Sequence, residues 1–136
     1  MPTNVVDALA RVPMFSKLDR KHLEKLANDF SERTFAPGTA VVREGDEGGI
    51  GFFVIADGTA SVSADGRDVS HLGPGDHFGA TALIADHVWT ATVTAETELH
   101  VYVMTMWNFR AVVQGDPEIA WSLVVELAHS VQGTSR

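Results

Sequence analysis

Apolar positions recur at helical spacing at both ends of this chain and at shorter, strand-like spacing between them. Val5, Leu9 and Val12 fall on one side of a short helix over residues 4–11, which Pro13 ends. Asp19 is placed to cap a second helix carrying Leu23, Leu26, Ala27 and Phe30. From about Ser31 to Met104 the pattern changes. Turn signals arrive at a steady interval: Pro37-Gly38, Gly45-Asp46, Asp57-Gly58, Asp65-Gly66 and Gly73-Pro74-Gly75-Asp76. Short strands at that spacing predict an antiparallel sandwich or barrel. Phe52-Phe53-Val54-Ile55 and Leu99-His100-Val101-Tyr102-Val103 read as its buried strands. Ala60-Ser61-Val62-Ser63 and Thr90-Ala91-Thr92-Val93 alternate like half-buried ones.

Two more helices follow. Thr105 caps the first, and Asp116-Pro117-Glu118 opens the second, with proline in the first turn and acid near the positive helix end. The last helix carries two apolar stripes. Ile119, Leu123, Leu127 and Val131, with Ala120 and Val124, form one; Trp121, Val125 and Ala128 form the other. A helix that is apolar nearly all round needs two partners. The roll is one, and the same helix of a second copy is the expected other, giving a symmetric dimer. Burial within one subunit is the alternative.

The 136 residues suit one domain, with helices over 1–30, a β region over 31–104 and helices over 105–132. No apolar run is long enough to span a membrane, and the start lacks a signal-peptide pattern, so a cytoplasmic protein is expected. There is no cysteine, which excludes thiolate chemistry and disulfides. The net charge of -8 is unevenly spread. Seven of the ten basic residues lie in the first 43 positions, while Glu44 to His100 holds ten acidic residues against Arg67 alone. Such a chain is a poor nucleic-acid binder, because phosphate contacts need Lys or Arg.

Catalysis finds little support. No Gly-x-Ser-x-Gly elbow or Walker-type loop occurs, and most carboxylates fall at turns such as Asp57-Gly58 and Asp65-Gly66, where Asp favours the backbone geometry. No catalytic residue and no cofactor is expected. His71, His77, His87 and His100 read as ordinary loop and strand histidines. Pro74-Gly75-Asp76-His77 is similar to part of the second motif of metal-binding cupins, but no His-x-His pair exists to supply the first. A metal site needs three or four convergent ligands. A cupin-type metalloenzyme is therefore the third reading only, and no metal is expected.

Six fragments, in order, resemble the cyclic nucleotide-binding domain of the catabolite activator family. They are Ala10-Arg11-Val12-Pro13-Met14-Phe15-Ser16-Lys17-Leu18, Arg33-Thr34-Phe35-Ala36-Pro37-Gly38-Thr39, Glu44-Gly45-Asp46-Glu47, Phe52-Phe53-Val54-Ile55-Ala56-Asp57-Gly58, Leu72-Gly73-Pro74-Gly75-Asp76-His77-Phe78-Gly79, and the stretch Phe78-Gly79-Ala80-Thr81-Ala82-Leu83 with Val88-Trp89-Thr90-Ala91-Thr92-Val93. The resemblance implies an eight-stranded, mainly β jelly roll (a β roll) with two helices before it and two after. It also implies a ligand pocket at Phe78, Gly79, Ala80, Thr81, Ala82, Trp89, Thr90 and Ala91.

The chain departs from the family where the ligand is gripped. The family's cassette places a Glu on the ribose and an Arg on the cyclic phosphate; here those positions are Ala80 and Trp89. Losing a buried bidentate arginine weakens binding on the order of a hundred-fold or more. Backbone amides near Gly79–Ala82 and the hydroxyls of Thr81 and Thr90 remain as donors. The leading expectation is a stand-alone regulatory or interaction module with weak or no cAMP or cGMP binding and an unidentified protein partner. The alternative is a genuine cyclic-nucleotide or other small-molecule sensor using backbone amides, Thr81 and Thr90. Trp89 has three readings: it fills the phosphate's place, it walls a pocket for an uncharged or cationic ligand, or it points outward as a protein contact. The chain stops before the helix-turn-helix domain of the family's transcription factors, so DNA binding is not expected.

Overall fold

The two strands that carry the longest nearly continuous apolar runs are the ones buried on both faces. The computed structural model describes residues 3–46, 51–79, 89 and 91–134, without the side chains of 127 and 129–134. Its elements are α1 (Val5–Ala10), a 3-10 turn (Pro13–Phe15), α2 (Arg20–Ala27), β1 (Ser31–Phe35), β2 (Ala40–Val42), β3 (Phe52–Asp57), β4 (Ala60–Ala64), β5 (Arg67–Leu72), β6 (His77–Phe78), β7 (Thr92–Ala95), β8 (Leu99–Met104), α3 (Met106–Gly115) and α4 (Pro117–Thr134). The strands form two antiparallel four-stranded sheets, β1-β8-β3-β6 and β2-β7-β4-β5. The fold is the expected mainly β roll with flanking helices.

β3 and β8 lie side by side in the middle of the first sheet. Successive side chains of a strand point to opposite faces, and here each face meets a different core. Phe53, Ile55, Leu99 and Val101 turn inward, against Val42, Ala60, Val93 and Ala95 of the second sheet. Phe52, Val54, Ala56, Tyr102 and Met104 turn outward, against Leu9, Phe15, Leu23, Phe109 and Ile119 of the helical layer. Phe52 and Phe109 stack at 4.4 Å. Burying one such aromatic contributes about 1.5–3 kcal/mol.

The helix signals hold locally. Asp19 accepts from the His22 N–H at 2.8 Å and Thr105 from the Asn108 N–H at 3.2 Å. Asp116 accepts from the Glu118 N–H at 3.1 Å, beside Pro117 in the first turn. Asp65 and Gly66, both at positive φ, close the β4–β5 hairpin, as a mirror-image type I′ turn requires.

Three expectations need correction. Phe30 lies beyond α2, which ends at Ala27, although its side chain still packs on the outer core. The strand expected over residues 90–93 runs over Thr92–Ala95, with Ala91 in a bend before it; the ladder with β4 starts at Thr92 opposite Ser63. Val124, assigned to the buried stripe of the last helix, is exposed. Only Ile119 and Leu123 of that stripe are seen buried, because the helix meets the core along a narrow line. Leu127 and Val131 have no described side chains.

Candidate functional site

The interior of the roll is aromatic where the ligand pocket was expected. Phe78 ends β6 and its ring stacks on Phe53 at 4.7 Å, the planes 4° apart. The Trp89 indole lies 6.3 Å from each of these rings and is only 6% exposed. Its backbone is fixed as well: its N–H donates to the Asp46 carbonyl at 2.9 Å and its carbonyl accepts from the Gly45 N–H at 2.8 Å. The Gly45-Asp46 turn therefore holds Trp89 at the mouth of the inner core, beside Val42 and Val93.

Gly79 makes this approach possible. It sits at φ +111, and a Cβ there would overlap the Gly51 carbonyl oxygen and come within 3.2 Å of the Trp89 ring. Only glycine takes that conformation at little cost and lets two backbones meet. Phe78, Gly79 and Trp89 are thus brought together. Ala91 is half-buried in the bend before β7. Ala80, Thr81, Ala82 and Thr90 lie outside the described residues.

One polar link joins this region to the last helix. His77, one residue before Phe78, bonds the Glu126 carboxylate through Nε2 at 2.6 Å. Its ring packs on Phe52 at 5.1 Å, and its buried Nδ1 has no partner among the described residues. The same helix turns Trp121, Val125 and Ala128 to solvent, with Trp121 67% exposed.

Sequence reasoning missed a second polar cluster, on the outer face of the first sheet. His100 bonds Asp57 through Nδ1 at 2.9 Å and Glu32 through Nε2. Asp57 also accepts the Thr3 N–H and hydroxyl, each at 2.8 Å, and Tyr102 donates to the Thr3 carbonyl at 2.8 Å. The His100 bond and then the Thr3 N–H pull the Asp57 carboxyl down to about 2, against burial. Burial, with the charges of Glu32 and Asp57, pushes the Tyr102 phenol up, so it stays a donor. Asp57 was read only as a turn former; a lone histidine amid apolar strand residues was the one available signal. Among the described residues no group of three or more His, Asp or Glu side chains is placed to hold a metal ion. No described helix is long and apolar enough to cross a membrane.

Comparison with known proteins bears on this geometry. Residues 32–116 match the family model of the cyclic nucleotide-binding domain. The chain is 38% identical over 104 residues to a cAMP-dependent protein kinase regulatory subunit of Yarrowia lipolytica, covering 75% of this chain and 28% of that protein. The chain thus spans under a third of that relative's length. Among solved structures, the N-terminal domain of a transcriptional regulator from Streptomyces coelicolor superposes with a TM-score of 0.72 at 30% identity, covering 95% of this chain and 92% of the other. The regulatory subunit of a cAMP-independent protein kinase A from Trypanosoma brucei superposes with a TM-score of 0.77 at 25% identity, covering 93% and 44%.

Proposed function

Because the chain belongs to the cyclic nucleotide-binding domain family, we propose that it is a non-enzymatic regulatory and interaction module whose nucleotide site has lost its grip. The burial of Trp89 carries this reading. The family pattern puts a cation where this chain has an indole, and that indole packs against Phe53 and Phe78. A cyclic phosphate brought there would be an anion among aromatic rings, without a paired cation. Such burial is costly unless the charge is matched and hydrogen-bonded. Glu44 to His100 adds ten acidic residues against one basic one, a field that repels anions. The Trypanosoma brucei neighbour, a similar fold, is described as the regulatory subunit of a cAMP-independent protein kinase A.

The module then works through contacts. The His77–Glu126 bond ties α4 to the strand that leads into the pocket, so the helix is held without a ligand. Trp121, Val125 and Ala128, spaced four and three residues apart, stay on one side of α4. A second copy of the chain covers that stripe and forms a homodimer. The partner that reads the module is a further protein.

Thermal unfolding with and without millimolar cAMP and cGMP tests the reading. A ligand that binds only the folded state raises Tm by mass action. No rise is expected. A concentration-dependent rise would make the protein a sensor using backbone amides, Thr81 and Thr90. The reverse experiment restores the family pair: Ala80→Glu with Trp89→Arg should yield a Tm that cAMP raises. A folded double variant that ignores cAMP would count against this pocket.

A further inference from the structure

The N-terminal helical segment starts and finishes in one polar cluster. Thr3, ahead of α1, is held by Asp57 through two hydrogen bonds. Glu32, in β1 just after α2, is held by His100. His100 and Asp57 bond each other. Residues 3–32 therefore form a loop whose two ends meet at His100, beside the Tyr102 hydroxyl that also reaches Thr3.

A bulge in β3 makes the meeting possible. The β3–β8 ladder pairs Ile55 with Val101 and then Asp57 with His100, so Ala56 is the extra residue. Without it, strict alternation would aim Asp57 into the inner core with Ile55. The bulge turns the carboxylate to the outer face, beside His100 and Tyr102.

The proton count gives the cluster a switch. Ionised carboxylates only accept hydrogen bonds, and neutral imidazole has one N–H. Imidazolium has two, one for each carboxylate. When it is neutral, one ring nitrogen presents a lone pair to a carboxylate. Asp57 keeps its two bonds to Thr3. Among the described residues Glu32 has, besides His100, only the Tyr102 hydroxyl, which already donates to the Thr3 carbonyl, and its side chain is more than half exposed, so Glu32 is the arm that turns to water.

We propose that His100 is a proton-controlled staple: its imidazolium ties the N-terminal helical segment to the roll by joining Glu32 to Asp57, and loss of the proton frees the Glu32 side chain and loosens the β1 end of the ladder with β8. The ionisable groups that face it are Glu32 from β1, Asp57 from β3 and the Tyr102 phenol on β8 itself. Burial alone would lower the His100 pKa, but the bonds and charges of Asp57 and Glu32 outweigh it and raise it above the usual 6.5. The folded chain thus holds this proton more tightly than the unfolded one. The closure is complete below about pH 6.5 and is lost as pH rises through the folded value.

Two signals from the whole chain test this between pH 6 and 9: the His100 ring resonances by NMR, and amide exchange at residues 31–33 corrected for its intrinsic pH dependence. The expected result is a midpoint above 6.5, with corrected exchange at 31–33 rising roughly two- to fivefold through it, the factor set by a weak, half-exposed ion pair. Glu32→Gln should lower the midpoint and flatten the exchange profile. A midpoint at or below 6.5, exchange that ignores the titration, or a wild-type profile in Glu32→Gln would each overturn the staple. His100→Gln adds a variant that cannot titrate. If its exchange rises with pH as in wild type, the staple is also overturned.

Discussion

Trp89 and Trp121 are the same residue in opposite circumstances. Trp89 is 6% exposed and its backbone is bonded to a turn; Trp121 is 67% exposed on a helix whose other side meets the core. One is part of what makes the roll solid. The other leaves the helix with an apolar side and no described neighbour on it. The difference teaches that packing inside the roll and exposure on α4 are set independently. The inner core is filled by Trp89, while the outside of α4 stays apolar.

Removing each indole is the most direct way to break this comparison. Trp89→Ala should destabilise by about 3–5 kcal/mol, the usual cost of deleting a buried aromatic, measured by urea unfolding. Trp121→Ala should stay within about 0.5 kcal/mol for an isolated subunit. Equal losses would mean the two indoles do similar jobs. Gly79→Ala comes next, at about 3 kcal/mol, because its added Cβ meets the Gly51 carbonyl at a φ that L residues rarely adopt. A near-neutral result would show that the Gly79 contact does not hold Trp89 in place. A double-mutant cycle on His77 and Glu126 should give a coupling of about 1 kcal/mol, and zero coupling would remove the link between pocket and helix.

Acid sharpens the contrast from the outer face. Asp57, held down near 2, contributes stability that is present above its ordinary 3.8 and lost as pH falls toward 2. Asp57→Asn should remove that part of the acid unfolding curve; an unchanged curve would put the titration elsewhere. The smallest effect on fold stability belongs to Trp121→Glu. Sedimentation should nonetheless find it a monomer where the parent is a dimer, and an unchanged mass would free the α4 stripe of that role.

Much of the roll was legible because its signals are local. Two runs with no polar break other than His100 told of strands covered on both sides, and Asp19, Thr105 and Asp116-Pro117 marked helix starts through their own side chains. Phe78, Gly79 and Trp89 were legible as a group from the sequence, but how they pack was not. Whether an indole points in or out depends on Gly45, Asp46 and Gly51, which are remote in sequence. The His100 cluster was hidden for a related reason. Alternation puts Asp57 on the inner face, and nothing in the letters announces the extra residue that reverses it. Val124 misled because helical periodicity gives the direction of a stripe, not its width.

β3 has a last consequence, for how this chain can change over time. It is a wall shared by two rooms: Phe53 and Ile55 belong to one core, Phe52 and Val54 to the other. A point substitution disturbs a single room. A one-residue insertion or deletion within 52–55 would exchange the occupants of both, so length there is frozen while identity can drift. At Ala56 the wall already carries its extra brick, and there the alternation between the two rooms is reset.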